Sequence, residues 1–203
     1  MNCRLVRDRD TYARVFVALK LPTPVLQQVQ SINSLLDERI VRKVKLNNLH
    51  LTLNFLGETK ICQVKFLQSE LIKCLGCLVP FKLKLDSVGS FPNSRAKIVW
   101  LGINGDLCKL NYVQSQITKV VARLGFRYRD DKFKPHITLA RIKNCNNLQE
   151  NEIFLKDMQV IEKSLLETSS FEVKSVVIIN SVHSKNGYQY NEIGSIYLKN
   201  QTC

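Results

Sequence analysis

The chain has 203 residues, of which 45% are apolar, with only 8 glycines and 5 prolines. This composition excludes a disordered or fibrous protein and suits either one compact domain or two small fused lobes. No apolar run reaches the roughly 18 residues that a transmembrane helix needs, and residues 1–11 lack the apolar segment of a secretory signal. We therefore expect a globular protein of the cytoplasm that does not act at a membrane.

Lysine and arginine outnumber aspartate and glutamate by 30 to 17, which gives a formal net charge of +13. This excess favours a polyanionic partner such as nucleic acid, but it does not by itself establish one. The seven cysteines follow no framework of spacings, as is usual for thiols in a reducing compartment. Cys74 and Cys77 form a C-x-x-C pair, but the second pair that a tetrahedral zinc site needs is missing.

In the first half of the chain, predicted strands alternate with predicted helices. Period-two alternation marks the strands, and apolar residues at helical spacing mark the helices. The predicted elements are a strand at 14–21, a helix at 25–36, a strand at 49–56 that ends at Gly57, a helix at 60–78, and strands at 81–88 and 97–103.

The second half repeats this order. A helix is predicted at 106–124, a strand at 135–142, a helix within 147–168, and strands at 171–182 and 188–199 joined by an Asn-Gly hairpin turn. The pattern indicates an α+β fold with mixed or antiparallel sheets and an approximate two-fold repetition.

Two of the three histidines begin nearly identical phrases, His50-Leu-Thr-Leu and His136-Ile-Thr-Leu. Each phrase lies in a predicted strand, where side chains alternate between the two faces. Each histidine therefore shares a face with the threonine two residues later, Thr52 or Thr138, and the apolar residues point to the opposite face. One such phrase would be unremarkable, but two matching copies predict two polar faces that converge on one cleft.

Two histidines suit acid–base chemistry near neutral pH, because one imidazole can be neutral while the other is protonated. The hydroxyls of Thr52 and Thr138 can donate hydrogen bonds to oxygens that gain negative charge in a transition state. A phosphodiester matches these four groups. The sequence contains no carboxylate–histidine cluster with metal-ligand spacing, so we expect neither a metal nor another cofactor.

The paired tetrads resemble those of the 2H phosphoesterase superfamily, and the chain is most similar to its RNA 2′,3′-cyclic phosphodiesterase (2′-5′ RNA ligase) family. The similarity extends from Arg14 to about Lys199. The segments that carry it are RVFVALKLP, NLHLTLNFLGE, VGSFPNSRAKIVWLGI and LGFRYRDDKFKPHITLARIK.

This resemblance implies a bilobal fold of two pseudo-symmetric lobes around a central cleft, with one tetrad in each lobe. It implies residues 1–12 as an N-terminal extension and 13–203 as a single domain. It also implies hydrolysis of 2′,3′-cyclic phosphate ends of RNA or nucleotides to 2′-phosphomonoesters. By analogy His50 would be the proton donor and His136 the proton acceptor; the chemistry of the residues alone does not assign these roles. We expect a monomer.

Two further residues match the family pattern. Arg141 follows the second tetrad and would bind phosphate, and Phe55 follows the first and would stack on a base. Strict alternation places Phe55 on the core face, so this role requires a bulge or a bend. Trp100 is expected in the core and His183 at the surface. Basic residues before both tetrads could line the approach to the cleft or be solvated loop charges: Arg39, Arg42, Lys43, Lys45, Arg127, Arg129, Lys132 and Lys134.

Two other functions remain open. The first is a phosphodiesterase or ligase specific for 2′-5′ linkages, and the second is a protein that binds RNA ends without turnover. Binding alone does not require two titratable imidazoles, which favours an enzyme.

Overall fold

The computed structural model describes residues 11–91, 98–128, 132–143, 148–165, 170–185 and 187–199. The predicted N-terminal extension therefore lies almost wholly outside the described residues. The elements in chain order are β1 (Tyr12–Lys20), α1 (Thr23–Ser34), β2 (Val41–Lys43), a 3-10 turn (Leu46–Asn48), β3 (His50–Lys60), α2 (Ile61–Leu75), β4 (Phe81–Phe91), β5 (Ile98–Gly105), α3 (Leu107–Arg123), β6 (His136–Ile142), α4 (Leu148–Ser164), β7 (Phe171–Val173), β8 (Ser175–Ser184) and β9 (Gly187–Tyr197).

The described strands form one nine-stranded sheet in the order β7-β4-β5-β6-β3-β1-β8-β9, with β2 paired to β6. Every strand pairing within the described residues is antiparallel. The α+β fold class is thereby confirmed.

The sheet repeats itself about its centre. Strand, helix, strand and helix follow one another as β1-α1-β3-α2 in one half and as β5-α3-β6-α4 in the other. The equivalent strands β3 and β6 are neighbours at the middle of the sheet. This arrangement is the two-fold repetition that the order of elements predicts, and it brings both tetrads to the centre of one surface.

One face of the sheet packs against the helices. The helices contribute apolar stripes, as the helical spacing predicts; in α3 the buried side chains are Leu110, Val113, Ile117, Val120 and Val121. They pack with alternate residues of the strands in the larger of two hydrophobic clusters. No helix among the described residues is both long and apolar enough to cross a membrane.

The opposite face is concave. Asn48 Nδ2 donates a hydrogen bond to the carbonyl of Tyr188 over 2.8 Å, although β9 is three strands away from β3 in the sheet. The hairpin of β8 and β9, predicted from its Asn-Gly turn, therefore bends over this surface. We call the surface the cleft face.

Two boundaries differ from the prediction. The strand predicted to end at Gly57 continues to Lys60, because the positive φ of Gly57, 71°, falls beside an irregularity in the pairing with β1 and not in a turn. The strand predicted at 81–88 continues to Phe91. The three-residue strand β2 is too short to produce a periodic signal and was not predicted.

Candidate active site

The two tetrads meet where β3 and β6 pair, through the single pair of residues Leu51 and Ile137. Both side chains are fully buried in the core. In an antiparallel pair, the residues on either side of a facing pair point to the other face and lie opposite each other. Four half-buried side chains therefore share the cleft face at this point: His50, Thr52, His136 and Thr138.

The two imidazole rings are held in the same way. Nδ1 of His50 lies 2.6 Å from the carbonyl oxygen of Asn48, and Nδ1 of His136 lies 2.6 Å from that of Lys134. A carbonyl oxygen only accepts, so each Nδ1 carries the hydrogen and donates it. Nε2 is then the nitrogen available for proton transfer in both rings. This backbone contact, from two residues before each histidine, fixes the tautomer and the ring orientation.

The two histidines differ in their surroundings. Nε2 of His50 lies 2.9 Å from Oγ1 of Thr52, so the hydroxyl can donate to the neutral ring. Burial lowers the pKa of His50 below its ordinary value; the hydrogen bond to Asn48 opposes this effect, and the charge of His136 adds to it.

A bulge in β3 brings Phe55 to the cleft face. Asn54 pairs with Val17 and Thr52 pairs with Ala18, so Leu53 has no opposite residue. The extra residue shifts the alternation by one position. Phe55 is consequently 49% exposed, and its ring centroid lies 5.9 Å from that of Phe16. The bulge that a stacking role for Phe55 requires is present, and a position in the core is wrong for this residue.

The same irregularity occurs in β6 and determines where Arg141 points. Ala140 pairs with Val99 and Thr138 with Trp100, which leaves Leu139 without an opposite residue. Arg141 is therefore exposed, and Leu139 and Ala140 are both buried. Like Phe55, Arg141 stands five positions after its histidine, so the two halves present an aromatic ring and a guanidinium at equivalent places.

Aromatic side chains that the sequence did not single out surround His50. The ring of Phe16 lies 4.8 Å away, and that of Tyr190, from the curled hairpin, meets His50 edge-on at 5.2 Å. Burial raises the pKa of Tyr190, and the charges of Arg141 and Arg14 oppose this effect. The family resemblance and the period-two pattern carry no signal for this long-range contact.

His136 has a corresponding neighbour in Phe91, whose ring meets it edge-on at 5.0 Å. Phe91 is stacked in turn on Trp100 at 4.9 Å. Trp100 is half-buried and pairs with Thr138, so it lies on the cleft face, and its predicted position in the core is wrong. The alternation of β5 is regular, but its apolar character on both faces conceals which face meets the helices.

The basic segments before the tetrads are only partly directed at the cleft. Arg39 binds the carboxylate of Asp37, and Lys43 lies 3.4 Å from a carboxylate oxygen of Glu38, so these charges are neutralised nearby. Lys134, by contrast, holds its ammonium group 5.5 Å from the centre of the Phe91 ring, beside His136. Arg129 lies outside the described residues. His183 is exposed, as predicted.

The C-x-x-C pair has no part in the site. Cys74 is a free thiol, so it does not pair with Cys77. Among the residues that the structure describes, no group of three or more histidine, cysteine, aspartate or glutamate side chains is placed to hold a metal ion. That no cofactor is needed stays a prediction, to be tested by chelation.

Comparison with known families identifies the chain. The model of the 2′-5′ RNA ligase superfamily matches residues 21–184, which include both tetrads, Phe55 and Arg141. The chain belongs to the 2′-5′ RNA ligase superfamily. The resemblance that the paired tetrads indicate is thereby confirmed.

Several members of the superfamily align with most of the chain. The RNA 2′,3′-cyclic phosphodiesterase of Methanocaldococcus jannaschii is 28% identical over 183 residues, which are 89% of this chain and 98% of the relative. That of Escherichia coli is 34% identical over 131 residues, 63% of this chain and 71% of the relative. The crystal structure of E. coli LigT with 3′-AMP superposes with a TM-score of 0.73 at 25% identity, over 93% of this chain and 99% of LigT.

Proposed function

We propose that the chain is an RNA 2′,3′-cyclic phosphodiesterase that hydrolyses cyclic phosphate ends to 2′-phosphomonoesters by two-histidine acid–base catalysis. The observation that carries this proposal is the meeting of both tetrads on one face, at the single residue pair that joins β3 to β6. Relatives that align with most of the chain are named RNA 2′,3′-cyclic phosphodiesterases. The proposed partner is RNA with a 2′,3′-cyclic phosphate end. We expect the protein to act on it in the cytoplasm, as a monomer.

His136 is proposed as the proton acceptor. Its Nδ1 is engaged with the backbone, and its Nε2 has no hydrogen-bond partner among the described residues. A neutral ring in this state accepts a proton from water as the water oxygen attacks phosphorus. Correctly placed general bases contribute roughly 10²–10⁴ in rate.

His50 is proposed as the proton donor to the departing 3′ oxygen. In the free protein its lowered pKa favours the neutral ring at pH 7, which is unsuited to this role. An anionic phosphate beside the ring favours the protonated form and therefore raises the pKa. In this scheme the donor becomes charged as the substrate binds.

This scheme predicts a titration with a defined sign. In the free protein, His50 should titrate below its ordinary pKa near 6.5. Bound 2′-AMP should raise that pKa, so the affinity for 2′-AMP should increase as the pH falls through the interval between the two values. The His136→Ala variant should also raise the pKa of His50, because the protonated form of His136 can no longer disfavour a charge on His50. NMR titration of the imidazole resonances measures the pKa of His50 in the free protein, with bound 2′-AMP and in the His136→Ala variant. A pKa of His50 that 2′-AMP leaves unchanged would contradict the donor role.

The remaining groups would bind the phosphate. The hydroxyls of Thr52 and Thr138 donate to its non-bridging oxygens, and Arg141 supplies a positive charge at the edge of the site. Phe55, exposed beside Phe16, would stack on the base of the terminal nucleotide.

Turnover of two substrates separates this function from its alternatives. The expected result is rapid hydrolysis of 2′,3′-cyclic AMP and slower cleavage of a 2′-5′-linked adenosine dinucleotide. The reverse preference would support the 2′-5′-specific enzyme, and binding of both without turnover would support a protein that only binds RNA ends. The rates are expected to be the same in excess chelator. A loss of activity there, restored by a divalent metal, would contradict catalysis without a cofactor.

A further inference from the structure

The aromatic pair Phe91 and Trp100 lies outside the groups that the proposed hydrolysis uses. The indole of Trp100 lies directly on the backbone of β4: a Cβ at Gly89 would stand 2.3 Å from Cζ2 of the indole. No side chain other than hydrogen fits under the ring. The ring of Phe91 is stacked on the indole, with ring centroids 4.9 Å apart and an angle of 28° between the two rings.

The ring of Phe91 is partly exposed. Phe91 is half-buried on the cleft face, its ring is nearly perpendicular to that of His136, and the ammonium group of Lys134 lies 5.5 Å from its centre. Lys134 is itself exposed, and its long side chain can move aside. The stack therefore ends in an accessible aromatic surface next to an imidazole, as single-strand nucleic-acid proteins use to bind bases.

The position of the pair relative to the phosphate defines what would bind. In a displacement at phosphorus the attacking and leaving oxygens lie roughly in line, on opposite sides of the phosphate. If His136 activates the attacking water, Phe91 and Trp100 lie on the side of the phosphate from which the nucleophile approaches. A nucleoside can place its own 5′ oxygen in the position of that water. Its base would then extend away from the phosphate toward Phe91.

We propose that Phe91 and Trp100 form a binding site for the base of a second nucleotide, the one attached through its 5′ oxygen on the His136 side of the phosphate. This inference rests on the proposed function, since it uses the same phosphate position. The terminal base lies on Phe55 and the second base on Phe91, so each half of the sheet holds one base. Such a site favours 2′-5′-linked dinucleotides over mononucleotides.

The chain contains one tryptophan, so its fluorescence reports on this site alone. The His50→Ala variant, which should bind without turnover, is titrated with 2′-AMP and with the 2′-5′-linked adenosine dinucleotide. We expect the dinucleotide to quench Trp100 more strongly. Adding Phe91→Leu should lower the affinity for the dinucleotide about 10-fold relative to that for 2′-AMP, within the range of base stacking on one ring. Phe91→Tyr should restore the wild-type ratio of affinities.

Phe66→Leu, an exposed phenylalanine in α2, is the matched control and should leave the ratio unchanged. An unchanged ratio in Phe91→Leu, or equal quenching by both ligands, would overturn the second base site. This binding result does not depend on turnover. If the wild-type chain fails to hydrolyse 2′,3′-cyclic AMP while the ratio still depends on Phe91, the proposed function fails and the base site stands.

Discussion

Replacing His136 or His50 with alanine is expected to lower kcat for 2′,3′-cyclic AMP by about 10²–10⁴-fold in each case. The His136 variant loses the base that accepts the proton of water, and the His50 variant loses the acid that protonates the 3′ oxygen. Because the two rings act in one transition state, the double variant should be little slower than the worse single variant.

The third histidine provides the matched control. His183 is exposed on the β8–β9 hairpin, in ring contact with Tyr188 at 4.8 Å and outside the proposed machinery. His183→Ala should retain the wild-type kcat. Steady-state rates and the thermal stability of each variant separate lost chemistry from lost folding. A near-native rate in either His50→Ala or His136→Ala would end the two-histidine scheme.

Replacing Thr138 with valine is expected to have the second largest effect, a loss of about 10²-fold in kcat, and Thr52→Val should act similarly. Valine has the shape of threonine without the hydroxyl, so packing is nearly retained and the hydrogen bond to phosphate is removed. Donors directed at developing negative charge contribute mostly in the transition state, and removing one costs roughly 10²–10³ in kcat. KM should change much less than kcat.

The two variants should differ in one respect. Thr52 also contacts Nε2 of His50 over 2.9 Å, whereas His136 has no such contact from Thr138. Thr52→Val should therefore change the pH dependence of kcat in addition to its value. Thr23→Val, at an exposed position at the start of α1, is the control for the substitution itself. If KM rises and kcat is unchanged in both tetrad variants, the hydroxyls bind the ground state only, contrary to the scheme.

The central part of the site could be predicted from sequence because it depends on local geometry. Side chains in a strand alternate with a period of two, so His50 and Thr52 had to share a face whatever the fold. The matching second phrase, around His136, then indicated a common cleft. The buried positions of Leu51 and Ile137 follow from the same alternation and are confirmed.

The rest depended on contacts that no local pattern encodes. The bulge at Leu53 turns Phe55 toward the cleft, and it is stabilised in part from another element: Gln114 of α3 donates to the carbonyl of Leu53 over 3.5 Å. Tyr190 reaches His50 only because the β8–β9 hairpin curls over the sheet. The prediction that Trp100 lies in the core was wrong because the composition of an apolar strand does not show which of its faces meets the helices.

The most direct test of the proposed function is to identify the first product that the protein forms from 2′,3′-cyclic AMP. NMR or chromatography identifies this product, in the presence of excess chelator. We expect 2′-AMP as the sole product, formed by the wild-type protein and no longer formed by His50→Ala or His136→Ala. Formation of 3′-AMP, or of a mixture that both variants still produce, would contradict the proposed function.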